Sequence, residues 1–556
     1  GNNSSTVFSG VISGLSDGGS LVKTGSGTLT LSGNNSTVGD ITVNAGTLIA
    51  SHASALGTSA KGTIVASGAT LDVRANVGAE PIILNGGTLS APTASINLSG
   101  PITLGANSII SVGNTLQLSL LGIIDDGAGT YGITKTGNGN ITLAGNNTYG
   151  GATNIDDGSL LLGASNVIPD ASAVSLASGT NFYMNNYSDT IGSLSGAGNV
   201  SLGSATLTTG GNNTSTTYSG VMFGTGSLVK NGSGKFILSG NNTYTGTTTI
   251  NGGDLQIGAG STSGVLGTGS VIMSNDSDLI FNRSGTFSVA NTISGSGNFK
   301  KEGSSTLTLS GNNSYSGTTT VDSGELIVTN NSALGTNAGG TYIKTNGTLD
   351  LKNVQIGDED IDIFGTLKTS SGSSSTSGSV YLGTTWSEIN VNSGAELVLS
   401  GIVYDDGGFK NLSKVGAGTL ILTNNANNFY QTNIGEGTVQ VGNGGTTGIL
   451  GRGHVTNNSN LYINRSDSVN LSSIVSSTDG ISGTGDITAH IGGALNVDRT
   501  ISLSGASSKI ILAAGYNTAA GTEYGGDVTL TNTITTSNSG TVTIFSGNTN
   551  TSTLNS

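Results

Sequence analysis

Short runs in which every second residue is apolar recur along the whole chain, and each is closed by a cluster of glycine and asparagine. The run Thr28-Leu29-Thr30-Leu31 places Leu29 and Leu31 on one face of an extended strand, because side chains alternate across a strand with a period of two. Equivalent pairs are Ile141 and Leu143, Phe236 and Leu238, Leu307 and Leu309, and Leu420 and Leu422. Ahead of each run stands a Lys-x-Gly-x-(Gly/Ser) opening, at Lys23, Lys135, Lys230, Lys301 and Lys414. Behind the first four stands a corner: Gly33-Asn34-Asn35, Gly145-Asn146-Asn147, Gly240-Asn241-Asn242 and Gly311-Asn312-Asn313. In the fifth copy it degenerates to Asn424-Asn425. Glycine and asparagine tolerate positive φ, which suits a tight corner.

A second signature follows the corner, Tyr244-Thr245-Gly246-Thr247-Thr248-Thr249-Ile250 and then Gly252-Gly253-Asp254-Leu255-Gln256-Ile257-Gly258. It returns from Tyr315 to Val328 and, more loosely, from Tyr149 to Leu162 and from Tyr430 to Val441. Each cassette therefore predicts about three short strands joined by glycine corners. Antiparallel hairpins fit the local pattern too, but strands this short and this repetitive favour a coil in which each pairs with its equivalent one turn away. The expected fold is all-β, a right-handed parallel β-helix (solenoid).

A longer repeat overlies the cassette. Ser54-Ala55-Leu56-Gly57-Thr58 returns as Ser332-Ala333-Leu334-Gly335-Thr336, 278 residues on, and Lys23 and Lys301 are separated by the same distance. Asp125-Asp126-Gly127 and Asp405-Asp406-Gly407 lie 280 apart. An internal duplication is the simplest account, with residues 1–278 and 279–556 as its halves within one continuous solenoid. Pro81, Pro92 and Pro101 point to an irregular loop or bulge in the first half, since proline cannot donate to a central ladder. The Ser/Gly-rich stretch Ser370–Ser379 is the expected loop of the second.

Composition narrows the class. With 93 glycines, 5% aromatics and 4 prolines in 556 residues, neither a conventional core of large side chains nor a collagen fits. The net charge of −14 repels phosphate and argues against nucleic acid as a partner. The absence of cysteine removes disulfides and thiolate metal sites. No apolar run approaches the roughly 20 residues of a transmembrane helix, and the chain opens Gly1-Asn2-Asn3 and ends in polar sequence, as expected of a processed product or a fragment.

Candidate chemistry is sparse. His52, His454 and His490 are the only histidines, and no Gly-Asp-Ser-Gly nucleophile motif occurs, so a hydrolase triad is not expected. Asp125/Asp126, Asp156/Asp157 and Asp405/Asp406 are the carboxylate pairs a polysaccharide-cleaving β-helix could use, but each sits beside glycine as turn acids do. Asp358-Glu359-Asp360 with Asp362 could gather calcium, yet the Gly-Gly-x-Gly-x-Asp repeat is absent and a solvated acidic loop is expected. Sequons such as Asn241-Asn242-Thr243 follow from composition, and no Arg-Gly-Asp is present. Tyr149, Tyr244, Tyr315 and Tyr430 share one cassette position, read as packing rather than as a carbohydrate-binding stripe. No catalytic, cofactor-binding or metal site is expected.

The cassette as a whole, clearest over Lys230–Gly258 and Lys301–Val328, resembles the passenger-associated strand repeat of Gram-negative autotransporters. The resemblance implies an extracellular, adhesin-like passenger at the bacterial cell surface, secreted through a C-terminal β-barrel of its own that this chain lacks. Its partners would be host-cell surfaces, matrix or neighbouring bacterial cells, met through multivalent contact without catalysis. Exposed coil ends motivate an alternative, a structural filament or surface-coat subunit formed by self-association. A polysaccharide-cleaving β-helix enzyme is third.

Overall fold

The structure, a computed structural model, describes residues 3–13, 19–36, 39–516, 525–537 and 539–546, with the backbone of 548–551. The terminal residues 1–2 and 552–556 lie outside the described residues. The chain divides into two compact units, Gly1–Arg283 and Ser284–Ser556. Both are parallel β-solenoids, and the single 3-10 turn Leu471–Ser473 is the only helical element among the described residues.

In the first unit, seven strands from Ile96–Leu98 to Met222–Gly224 form one parallel sheet. Its inward ladder runs Ile96, Leu118, Ile141, Leu160, Phe182, Val200, Met222, so that one turn takes 18 to 23 residues. In the second unit an eight-stranded parallel sheet runs from Ser373–Thr376 to Thr541–Phe545. Each inward Leu, Ile or Val is buried between its equivalents above and below. Removing such a side chain from water contributes about 1.5–3 kcal/mol, which is how so narrow a core holds without many aromatics.

Two local expectations are corrected. Ser370–Ser379 is not a loop: Ser373–Thr376 is a strand paired with Glu396–Leu399. Ser374 and Thr376 point inward, and their hydroxyls donate to Leu351 O (2.9 Å) and to Glu359 O (3.0 Å). Serine and threonine can line this core because neighbouring turns offer carbonyls. The prolines mark corners rather than an irregular loop. Pro81 and Pro101 directly precede the strands Ile82–Asn85 and Ile102–Ala106, where no N–H is required, and Pro92 directly follows Thr88–Ala91. The register shift in this region falls later, between Leu104 and Ala106.

Among the buried carboxyls, Glu80, Glu359 and Asp189 are shifted by their burial. Glu80 accepts from Thr63 Oγ1 (2.8 Å) in the first unit, and Glu359 accepts from Thr341 Oγ1 (2.7 Å) in the second. Burial pushes both up to about 7, and it pushes Asp189 up to about 6. In the unfolded chain these groups titrate near 4, so between about pH 4 and 7 the native state holds more protons and stability falls as pH rises. Denaturant unfolding is therefore expected to show higher stability at pH 5 than at pH 8, by about 2 kcal/mol for each glutamate. The Glu80→Gln, Glu359→Gln double variant should lose most of that difference. An unchanged pH dependence in the double variant would contradict the assignment.

Candidate functional site

The features that recur in sequence lie inside. Each cassette lysine faces the core, its stem stacked in a ladder of aliphatic side chains: Lys301 pairs with Val321, then Ile343, Ile363 and Leu382. Its Nζ donates to Glu302 O, Gly303 O and Ser323 O at 3.0, 2.9 and 2.9 Å. The same three-carbonyl cage closes around Lys23, Lys135, Lys230 and Lys414. Burial lowers Lys135, Lys230, Lys301 and Lys414 to about 8, so at neutral pH each keeps the third proton its cage requires. The glycine of Lys-x-Gly supplies one cage carbonyl from a left-handed turn, as at Gly303 with φ +72°.

The Gly-Asn-Asn corner works differently from expectation. None of Gly33, Gly145, Gly240 and Gly311 has positive φ; a Cβ on Gly240 would lie 1.9 Å from Gly220 O on the neighbouring turn. Glycine is needed there for close stacking. The second asparagine is buried and bridges both neighbouring turns: Asn313 Oδ1 accepts from Ile293 N (2.9 Å) while Nδ2 donates to Ala333 O (2.6 Å). Asn35, Asn147 and Asn242 do the same. In the fifth cassette Asn427 takes this place, through Val403 N and Ile449 O, so the corner is intact but displaced by one residue.

That displacement corrects the tyrosine register. Tyr149, Tyr244 and Tyr315 are fully buried, each with its hydroxyl on the threonine four residues on. Their equivalent in the fifth cassette is Phe429, also fully buried, whose carbonyl accepts from Arg452 N as that of Tyr315 accepts from Thr336 N. Tyr430 faces outward against Phe409, ring centroids 5.0 Å apart.

The acidic candidates are held by turns. Asp126 accepts from Tyr131 N and Gly150 N, both at 2.9 Å. Asp405 does the matching job, accepting from Lys410 N (3.0 Å), and adds a bidentate pair to Arg452. Asp405 thus corresponds to Asp126, and Tyr404 to Asp125, a one-residue slip from the Asp-Asp-Gly alignment. Asp157 accepts from Gly158 N. In the Asp358–Asp362 segment, Glu359 turns into the core, Asp358 binds Ser377 and Asp360 accepts from Ser379 N (2.7 Å). Their side chains turn to different partners, and no group of three potential metal ligands forms among the described residues. His52 accepts from Ser54 N, and His490 meets Tyr462 and stacks on Tyr516. His454 Nε2 lies 2.8 Å from Ser482 Oγ, but its Nδ1 is buried without a partner, so no acid orients that ring as a triad would need.

What gathers on the surface is a ladder missed in the sequence. On the outer face of the second unit, Tyr342, Asp362, Tyr381 and Tyr404 stack on four successive turns. Beside them lies a groove of about 270 Å³ whose walls include Tyr342, Tyr404, Asp360, Asp362 and Ser379. At the Tyr381 rung, Lys410 Nζ sits 4.5 Å over the Tyr381 ring and binds Asp406, which also accepts from Tyr381 OH (3.0 Å). The hydrogen bond from Lys410 holds Asp406 below its ordinary range, whereas burial, with Asp360 alongside, holds Asp362 above. The only sequence signal was the 39- and 23-residue spacing of three tyrosines, which means nothing until the length of each turn is known.

The passenger-associated-transport-repeat family matches residues 21–50, 133–162, 228–257, 299–328 and 412–441. Among curated proteins, the chain is 35% identical over 218 residues to the "Adhesin BmaC autotransporter" of Brucella suis biovar 1 (strain 1330), covering 35% of this chain and 6% of that protein. It is 34% identical over 121 residues to the "Uncharacterized protein YuaQ" of Escherichia coli (strain K12), covering 21% of this chain and 8% of the relative. The chain thus spans under a tenth of the length of either relative. No solved structure matches.

Proposed function

We propose that the chain, which carries the passenger-associated-transport-repeat five times and is similar over part of its length to an autotransporter adhesin, serves as an adhesin-like autotransporter passenger. Displayed outside a Gram-negative cell, it mediates multivalent attachment to host cells, matrix or neighbouring bacteria, without catalysis. One observation carries this best. The repeat places its lysine, asparagine and aromatic residues inside, which leaves the outer faces free to differ from turn to turn.

Read as copies of one ancestral half, the two units support this proposal. Both keep the inward Thr–Glu pair, Thr63–Glu80 and Thr341–Glu359. Yet where the second carries Tyr342, Asp362, Tyr381 and Tyr404 outside, the matching ladder of the first is Ile64, Ile83, Thr103 and Asp125. Many weak outer contacts on one chain act together, since each bound site raises the local concentration of the next.

The test compares cells that display the passenger with cells that lack it, on host-cell monolayers, on immobilised matrix and in self-aggregation assays. Display is expected to raise retention on at least one surface by about 10²-fold or more, the low end of multivalent gains. Equal retention on all three would overturn the proposal.

A further inference from the structure

The Tyr342–Tyr404 groove has the composition of a cation site without an internal cation. An ammonium is attracted to the face of an aromatic ring and to a carboxylate, and the two attractions add when both line one recess. The fold already shows this chemistry once, where Lys410 lies over Tyr381 and binds Asp406. In the adjoining groove stand Tyr342 and Tyr404, each more than one-third exposed, beside the carboxylates of Asp360 and Asp362. Neither aspartate forms an ion pair among the described residues. Tyr404 also feels the negative field of Asp362 and Asp360.

We propose that this groove receives a lysine side chain from a basic segment of a partner protein. A recess of about 270 Å³ has room for one extended side chain. The chain's net charge of −14 draws basic polypeptide toward it from a distance. The ladder offers the apolar stem of the lysine the faces of Tyr342 and Tyr404 while its ammonium reaches Asp362 and Asp360. The corresponding ladder of the first unit, with Ile64 and Ile83 in place of Tyr342 and Asp362, lacks this set and serves as an internal control.

The inference deepens the adhesion proposal and rests on it for its biological setting, but the binding itself is tested on the purified full chain. Fluorescence anisotropy with labelled tetralysine, at physiological salt so that diffuse attraction is screened, reads the affinity. Asp362→Asn and Tyr404→Leu are each expected to weaken tetralysine binding about tenfold. Asp125→Asn, on the matching face of the first unit, should leave it unchanged, and the fully acetylated peptide should not bind. Equal binding by all variants, equal binding of the acetylated peptide, absence of tetralysine binding, or binding of cellotetraose in its place would each overturn the inference. Circular dichroism of the variants confirms the fold. If the groove binds tetralysine as expected but displayed passenger fails to retain cells, the adhesion proposal falls and the groove assignment stands.

Discussion

Lys301→Met is expected to destabilise the protein by about 3–5 kcal/mol, the range seen when one side of a buried charged interaction is removed. Methionine keeps the stem that packs on Val321 but strips Glu302 O, Gly303 O and Ser323 O of their shared donor. Two of these carbonyls belong to Glu302 and Gly303, directly after the lysine, and the third to Ser323 in the strand Thr319–Val328 one coil further on. A single ammonium therefore ties consecutive coils together. Each carbonyl left without a partner costs about 1–3 kcal/mol. The matched control is Lys344→Met, at an exposed position, which should change stability by less than about 0.5 kcal/mol. Guanidinium chloride unfolding of both variants beside the parent makes the comparison, and equal midpoints would remove the cage from the account.

Phe429→Ala is expected to cost about 3–5 kcal/mol, as deletion of a fully buried aromatic ring does. Tyr430→Ala, which loses only an edge contact with Phe409, should cost about 1 kcal/mol. Sequence alignment alone ranks the two the other way, because Tyr430 is the residue that matches Tyr149, Tyr244 and Tyr315 by type. Thermal and denaturant unfolding of the pair decides it. A larger loss at Tyr430 would restore the tyrosine register and contradict the displaced corner.

The coil was legible in the chain because its signals are local. Thr306-Leu307-Thr308-Leu309 announces a strand from four residues, and its recurrence announces stacking. The longer-range arrangement was not legible, because it depends on turn lengths that vary between 18 and 23 residues within one sheet. One extra residue before Asn427 puts the inward aromatic at Phe429, one position later after its lysine than in the other cassettes, and leaves Tyr430 outside. The same uncertainty hid the outer ladder, whose members lie about 20 residues apart. The buried lysines were obscured for a different reason. Lysine is almost never fully buried unless its charge is met, and nothing in Lys-x-Gly states that three backbone carbonyls will meet it. Ser370–Ser379 misled for a related cause: its hydroxyls look solvated in sequence, yet the carbonyls of Leu351 and Glu359 are waiting for them inside.

The central claim is that the recurring residues build the coil from within and leave its outer faces for recognition. Amine labelling of the native chain at mildly alkaline pH, read residue by residue by mass spectrometry, tests it most directly. Lys135, Lys230, Lys301 and Lys414, held near 8 by burial, would carry more reactive neutral amine than ordinary lysines and would label first if they were accessible. The account predicts the reverse: Lys61, Lys344, Lys352 and Lys509, all exposed, react readily, and the four cage lysines stay unmodified until the chain is unfolded. Labelling of the cage lysines in the native protein at the rate of the exposed ones would contradict it.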